Sequence, residues 1–359
     1  MKFIHTGDIH YGMNPDSDRP WSRERAQAVR DSLSAIVRAA AEDHTDLLLV
    51  AGDLFHRQPL VRELKEAAYL FGTIPETSVV IIAGNHDYIR QSSAVLSFSW
   101  PENVRFITED TLTCVSLDRI GTEVYGFSYH TKEITENVLS GISVPDSGRI
   151  RLLLVHGGDA KHLPFDVSEL CGAGFAYCAL GHIHKPQILK AGKAAYCGSP
   201  EPLDLTETGP HGFYKGEIND VTRELVSLTF VPVSKLQYIS LAANVTPEST
   251  NTELLMSIGD EIRRRGLMNI YRLRIRGMRD PDAAFDLDVL KSRYRIAEIL
   301  DESEPKYDFP KLFREHSSDM IGFFIRELYR PDMSPLDKKA LYYGVNALLR
   351  TTDERSGKP

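Results

Sequence analysis

The sequence predicts a layered α/β fold: a four-layer α/β/β/α sandwich, followed by a small C-terminal α+β cap and a helical tail. Between residue 2 and about residue 90, short apolar runs alternate with longer amphipathic stretches, the rhythm of β-α-β units in a buried, largely parallel sheet. After residue 100 the rhythm changes to closely spaced short strands and then returns to isolated apolar runs, a mixture that a layered sandwich accommodates. The strongest apolar runs are each followed at once by glycine and polar residues. In an α/β sheet such loops converge on one crevice beyond the carboxyl ends of the strands.

Taken in order, strands are expected at residues 3–6, 47–51 and 79–83. A helix over 22–41 is marked by Ala26, Val29, Leu33, Ile36, Val37 and Ala40 near i, i+3, i+4 spacing, and a second helix covers 61–71. Short strands follow around Val104, at 113–117 and at 123–127, with apolar runs at 152–155 and 175–180 and closing strands near Phe213 and over 225–232. These make a first domain of residues 1–232. Residues 233–289 form the expected cap, with a strand at 237–242, a helix at 252–265 and an Arg-rich strand at 269–276. Residues 290–359 read as almost wholly helical, including 320–329 and 337–350, with a frayed tail after Thr351 and a possible role in docking a partner.

Composition narrows the class. The chain has 359 residues, of which 42% are apolar and 26% charged, which suits a globular protein of one large or several modest domains. No run approaches the roughly 18 consecutive apolar residues of a membrane span, and the first residues show no export leader, so the expectation is a cytoplasmic protein with no membrane partner. Cys114, Cys171, Cys178 and Cys197 form no C-x-x-C pair and are expected to be reduced and mostly buried. With 42 Lys+Arg against 50 Asp+Glu the net charge is −8, so binding to nucleic acid would need a local basic surface. No phosphate-binding G-x-x-x-x-G-K-[ST] loop is present, and the chain is not expected to hydrolyse ATP.

Five polar clusters carry the chemistry: Asp8-Ile9-His10, Gly52-Asp53-Leu54-Phe55-His56, Gly84-Asn85-His86-Asp87, Val155-His156-Gly157-Gly158 and Gly181-His182-Ile183-His184. Nearly all follow a predicted strand. Any one of them alone reads more readily as turn chemistry than as a metal site, but six of the twelve histidines fall within them. The other six, His5, His44, His130, His162, His211 and His316, are expected to be structural or solvated. Two Asp, one Asn and four His offer oxygen and imidazole donors without thiolate, a set suited to two divalent ions, manganese first, with iron or zinc also compatible. Such a pair activates water for attack on phosphorus.

This ordered set of motifs resembles the calcineurin-like metallophosphoesterase superfamily, and within it the SbcD-type DNA-repair nucleases. The likeness covers roughly residues 1–232. His56 after GDLF and Gly198-Ser199-Pro200 favour the nuclease branch, while residues 207–212 look more like a shorter bacterial subgroup of DNA-repair exonucleases. The resemblance implies that Asp8, His10 and His184 bind one ion, that Asn85, His156 and His182 bind the other, and that Asp53 bridges them. His86 and His56 would contact the phosphate and assist proton transfer, with Asp87 orienting His86 or its loop. It also implies a separate SbcC-like ATPase partner; a homodimer is a further expectation.

Arg272, Arg274 and Arg276 alternate with Leu273 and Ile275, so on a strand the three guanidinium groups share one face. That ribbon either holds DNA phosphates or pairs with acidic neighbours. The expected activity is therefore a two-metal phosphodiesterase acting on DNA, a 3′-to-5′ exonuclease with single-strand endonuclease activity. The alternatives are a metallophosphatase or phosphodiesterase for nucleotides or phosphoproteins, and a non-catalytic metal-binding scaffold.

Overall fold

The computed structural model describes the backbone of residues 1–356 and the side chains of residues 1–349 and 351. It divides into two compact units, Met1–Tyr238 and Ile239–Pro359.

The first unit contains β1 (Lys2–Thr6), α1 (Ser22–Glu42), β2 (Leu47–Ala51), α2 (Val61–Gly72), β3 (Ser78–Ile82), β4 (Val104–Ile107), β5 (Thr113–Leu117) and β6 (Thr122–Gly126). It continues with β7 (Ile150–His156), α3 (Val167–Gly172), β8 (Tyr177–Gly181), β9 (Gln187–Lys190), β10 (Ala194–Tyr196), β11 (Gly212–Ile218) and β12 (Leu225–Pro232). Two six-stranded sheets result, ordered β12-β11-β1-β2-β3-β4 and β5-β6-β7-β8-β10-β9. Strands β1 to β4 are parallel to one another, as are β6, β7, β8 and β10.

Side-chain alternation along the central strands builds the layers. Ile4, Leu48, Val50, Val79 and Ile81 meet Leu33, Ile36 and Val37 of α1 and Leu64, Ala67 and Phe71 of α2. The alternate residues Phe3, Leu47, Leu49, Ala51, Val80 and Ile82 meet Leu152, Leu154, Tyr177 and Ala179 in the space between the sheets. The outer face of the second sheet, with Leu153, Val155, Cys178 and Leu180, is covered by Leu170 of α3 and by loop residues such as Tyr129, Leu139 and Leu163. The fourth layer is therefore one six-residue helix and ordered loop. Cys178 and Cys197 are buried, Cys171 is half-buried and Cys114 is exposed, all as free thiols.

The second unit is built on β13 (Tyr238–Val245), whose first residue, Tyr238, belongs to the first unit, with α4 (Asn251–Arg265), β14 (Ile270–Arg279), α5 (Asp288–Lys291), β15 (Ile296–Asp301) and β16 (Glu304–Pro305). Strand β14 is central, flanked by β13 and β15, and Leu254, Ile258 and Ile262 of α4 share a core with Tyr271, Leu273 and Ile275. Thr250 and Glu253 start α4 as a capping box, each side chain accepting the other's backbone N–H at 3.2–3.3 Å. Helices α6 (Phe309–Glu315), α7 (Met320–Leu328) and α8 (Pro335–Ser356) follow, around Phe309, Ile321, Ile325, Leu341 and Val345.

Two expectations are corrected. The segment after Leu290 is not wholly helical, because β15 and β16 lie within it and pair in parallel with β14. The six residues of β15, Ile296–Asp301, are too few to be assigned to helix or strand by their own pattern; pairing with β14 decides it. The tail expected to fray after Thr351 is instead helical as far as it is described, since α8 runs to Ser356; residues 357–359 lie outside the described residues. In addition, the buried face of α1 includes Ser22 and Arg25, while Ala26 is half-buried. The Arg25 guanidinium is inaccessible to solvent, 2.9 Å from Glu201 Oε2, bonded to the Pro202 carbonyl and 5.5 Å from the centre of the Tyr238 ring.

Removing one member of a buried ion pair leaves the other charge without compensation, at a cost of about 3–5 kcal/mol. Arg25→Met should therefore lower the urea midpoint strongly, and adding Glu201→Leu should recover part of the loss. Equal midpoints for the single and double variants would show that the pair does not hold α1.

Candidate metal centre and active site

The parallel strands of both sheets end at one rim. Asp8 and His10 follow β1, Asp53 follows β2, Asn85 and His86 follow β3, His156 closes β7, and His182 and His184 follow β8. Four of these have left-handed backbone: Asp8 at φ 49°, His10 at 50°, Asp53 at 48° and His182 at 93°. For residues bearing a Cβ this conformation costs of order 1–2 kcal/mol each. Backbone bonds hold the strained loops, from Asp8 N to Gly52 O (3.0 Å), His10 N to Asp53 O (3.0 Å) and Tyr11 N to Leu54 O (2.8 Å). The His182 amide donates to the Asp8 carboxylate at 2.9 and 3.1 Å. Packing at the rim leaves no space for larger residues: a Cβ on Gly84 would overlap Asp53 Oδ1, and one on Gly181 would overlap the Ala51 carbonyl.

Hydrogen bonds fix the histidine tautomers. His156 Nδ1 lies 2.9 Å from the Ala51 carbonyl oxygen, which only accepts, so in the neutral ring Nδ1 carries the proton and Nε2 presents a lone pair. His182 Nε2 lies 2.8 Å from Asp159 Oδ2, which leaves the lone pair on Nδ1. Both lone pairs face Asn85 Oδ1, at 2.8 and 3.1 Å. The other half repeats the pattern. His184 Nδ1 donates to Glu207 Oε1 at 2.6 Å, and its Nε2 lone pair lies 3.0 Å from His10 Nε2. Asp53 Oδ2 faces both halves, 3.4 Å from His156 Nε2 and 3.7 Å from His10 Nε2, and Asp8 Oδ1 lies 3.8 Å from His156 Nδ1 and 3.9 Å from His184 Nε2.

Around Asn85 Oδ1 acceptors thus converge with no proton between them in the neutral rings, an arrangement that repels itself unless a cation or extra protons enter, and Asp53 and Asp8 bring carboxylate oxygens to both halves. The donor chemistry fits divalent metal ions. Two groups of donor atoms with the spacing of an ion site, Asp8–His10–His184 and Asp8–Asp53–His156, fall within the expected set.

His86 and His56 stand beside this cluster, their rings stacked at 5.2 Å, with His86 edge-on to His10 at 4.7 Å. His86 is exposed; its amide donates to Asp53 Oδ1 at 2.9 Å and its Nδ1 lies 3.1 Å from the His56 carbonyl. Asp87 is buried and commits both oxygens to backbone, accepting from Phe55 N (3.0 Å) and Gly84 N (2.7 Å). It anchors the Asn85–His86 loop to the one after β2.

Three residues of this neighbourhood lack any motif spacing. Asp159 and Glu207 hold the two histidines of GHIH, and His162, expected to be structural or solvated, bonds Asp159 at 3.0 Å beside the His182 ring. The Arg-rich strand has the expected alternation, with Leu273 and Ile275 buried, but its charges are partnered. Arg272 pairs with Glu298, and Arg274 and Arg276 both pair with Glu302, Arg276 Nε at 2.9 Å. The acidic-neighbour alternative is the one the structure adopts.

A family model described as calcineurin-like phosphoesterase matches residues 1–186, a segment that includes every donor named above except Glu207, and the chain belongs to that family. It is a metallophosphoesterase, a metal-dependent hydrolase. Among its relatives is the "Uncharacterized metallophosphoesterase YhaO" of Bacillus subtilis, 29% identical over 301 residues, 77% of this chain and 72% of that protein. The DNA double-strand break repair protein Mre11 of Archaeoglobus fulgidus is 29% identical over 247 residues, 61% of this chain and 54% of that protein. The SbcD component of the nuclease SbcCD of Bacillus subtilis is 24% identical over 255 residues, 58% of this chain and 64% of that protein. The match spans less than two thirds of the length of either of these last two. Among the described residues no helix is long and apolar enough to cross a membrane.

Without metal, protons substitute for the missing charge. Burial disfavours the charged form of His156, but the Asp53 and Asp8 carboxylates outweigh it and raise its pKa to about 9. Burial likewise opposes protonation of His184, and the bond to Glu207 with the charge of Asp8 raises it to about 9. Burial lowers His182 to about 4. Burial, reinforced by Asp53, raises Asp87 to about 7.

The raised histidines stabilise the folded metal-free chain fully below their ordinary pKa of about 6.5, and that contribution is lost as pH rises through about 9. Asp87 acts in the same direction at lower pH, its contribution falling between its ordinary carboxyl range and about 7. In chelator the melting temperature should therefore fall between about pH 6.5 and 9, whereas Mn²⁺ should flatten the decline and bind more tightly as pH rises. A metal-free stability that increases across that window would contradict the assignment.

Proposed function

We propose that this metallophosphoesterase is a two-metal phosphodiesterase of SbcD type that cleaves DNA in repair, as a 3′-to-5′ exonuclease with endonuclease activity on single strands. The observation that carries it is the pair of converging side-chain sets that share Asp53, with the exposed His86 beside them. Asp8, His10 and His184 would hold one ion, Asn85, His156 and His182 the other, with Asp53 bridging; manganese suits these donors, as do iron and zinc. When bound, such ions supply positive charge to the phosphate and lower the pKa of water to make a nucleophile.

The chain's own residues do the rest. Asp87 holds the loop that presents Asn85 and His86. The His86 amide is tied to Asp53 and its ring is stacked on His56, so the imidazole is oriented before a phosphate arrives, and it can pass a proton to the leaving oxygen. DNA as substrate is supported by the names of the Mre11 and SbcD relatives; an SbcC-like ATPase partner and a cytoplasmic setting belong to the same reading. Arg272, Arg274 and Arg276 would reach phosphate only by exchanging their carboxylate partners.

The purified chain should cut labelled double- and single-stranded DNA in Mn²⁺ and lose this activity on chelation. Cleavage of an aryl phosphodiester but not DNA would favour a nucleotide or phosphoprotein substrate, and inertness with two ions bound would favour a scaffold. His86→Ala should keep both ions and lose about 10²- to 10⁴-fold in turnover, whereas Asp53→Asn should weaken both ions; a fully active His86→Ala enzyme would refute the assigned role. If the arginine ribbon contacts DNA, the triple Gln variant should reduce the salt slope of binding by up to about 3 and Glu302→Gln should tighten binding. An unchanged slope and affinity would remove the ribbon from the interface.

A further inference from the structure

The two histidines of GHIH are held in a matching way that no motif predicts. Asp159 commits Oδ1 to its own loop, accepting from Lys161 N at 2.7 Å and His162 N at 2.9 Å, and extends Oδ2 to His182 Nε2 at 2.8 Å. Glu207 commits Oε2 to its loop, accepting from Leu203 N at 2.8 Å and from the Ser199 hydroxyl at 3.4 Å, and extends Oε1 to His184 Nδ1 at 2.6 Å. In each case one oxygen fixes the carboxylate to a loop and the other reaches a ring of GHIH; the His162 ring, 3.0 Å from both Asp159 oxygens, braces that carboxylate further. The rings are held through opposite nitrogens, so the lone pair left for an ion is on Nδ1 in His182 and on Nε2 in His184.

Building on the two-metal reading, we propose that Asp159 and Glu207 are positioning residues, each dedicated to one ion: Asp159 to the ion held with Asn85, His156 and His182, and Glu207 to the ion held with Asp8, His10 and His184. A carboxylate that accepts the distal N–H of a metal-bound imidazole fixes its tautomer and raises its basicity, and losing it typically costs 10–100-fold in metal affinity. Asn and Gln discriminate this role from loop support, because an amide has one acceptor oxygen where a carboxylate has two. It can satisfy the loop or the ring, not both.

Calorimetric titration of the full chain with Mn²⁺ after chelator treatment, without substrate, tests the division. The expected result is two binding steps in the wild type, one weakened 10–100-fold by Asp159→Asn, the other weakened similarly by Glu207→Gln, and both weakened in the double variant. The Ala variants should lose more than the amide variants. Unmoved affinities, or both variants weakening the same step, would overturn the proposal while leaving the two-metal reading intact. Fewer than two ions in the wild type would defeat both. A chain that binds two ions in this pattern but cuts no DNA would defeat only the proposed nuclease activity. Should either variant melt early in chelator, ring ¹⁵N shifts of the Zn²⁺-loaded wild type decide the matter: Nε2–H on His182 and Nδ1–H on His184 support the proposal, and the reverse tautomers overturn it.

Discussion

Everything at the rim depends on backbone strain held in place by neighbouring loops. Asp8, His10, Asp53 and His182 are not glycines, yet all four sit in the left-handed region, where L residues clash with their own carbonyls. That conformation turns their side chains out of the strand direction as the chain leaves the sheet. It persists because the loops after β1 and β2 bond to each other and because the His182 amide is caught by the Asp8 carboxylate. Strain of this kind is characteristic of sites where surrounding structure over-determines the geometry. Here the surroundings are two sheets whose cores are almost fully apolar.

Much of this is legible in the sequence because five strand-end clusters recur together and hold six of the twelve histidines, although each alone would pass as a turn. The runs LLLVA and VVIIA announce buried strands, and the clusters at their ends announce the rim. The roles of Asp159, His162 and Glu207 are not legible, although Glu207 opens the 207–212 segment that carries part of the family likeness. Each is a single polar residue in a loop, and its importance comes from a contact 23 residues away for both carboxylates. Arg25 escapes notice for a different reason: arginine on an apolar stripe reads as the edge of the stripe until Glu201 and Tyr238 are seen around it. Strands β15 and β16 escape because their pattern is short and their partner, β14, decides their conformation. The alternation of Arg272 to Arg276 is legible, but their pairing with Glu298 and Glu302 follows only once β15 lies beside β14.

The site also shows why electrostatics and orientation cannot be separated. His156 is drawn toward protonation by Asp53 and Asp8, while His182, a ring's width away, is pushed toward neutrality by burial. The imidazoles are alike; their hydrogen-bond partners differ, one a main-chain carbonyl and the other a carboxylate. Because each distal nitrogen is already committed, each ring has a single nitrogen to offer, and the chain specifies which one without using a second metal ligand to do so.

The outer cover of the second sheet has an evolutionary consequence. One short helix and coil lie over β7 and β8, while the strands themselves are bonded to neighbours on both sides. Loops accept insertions far more readily than sheets do. Descendants of this scaffold can therefore acquire new walls around the rim by lengthening that cover, diversifying what they admit without redesigning the strand ends beneath it.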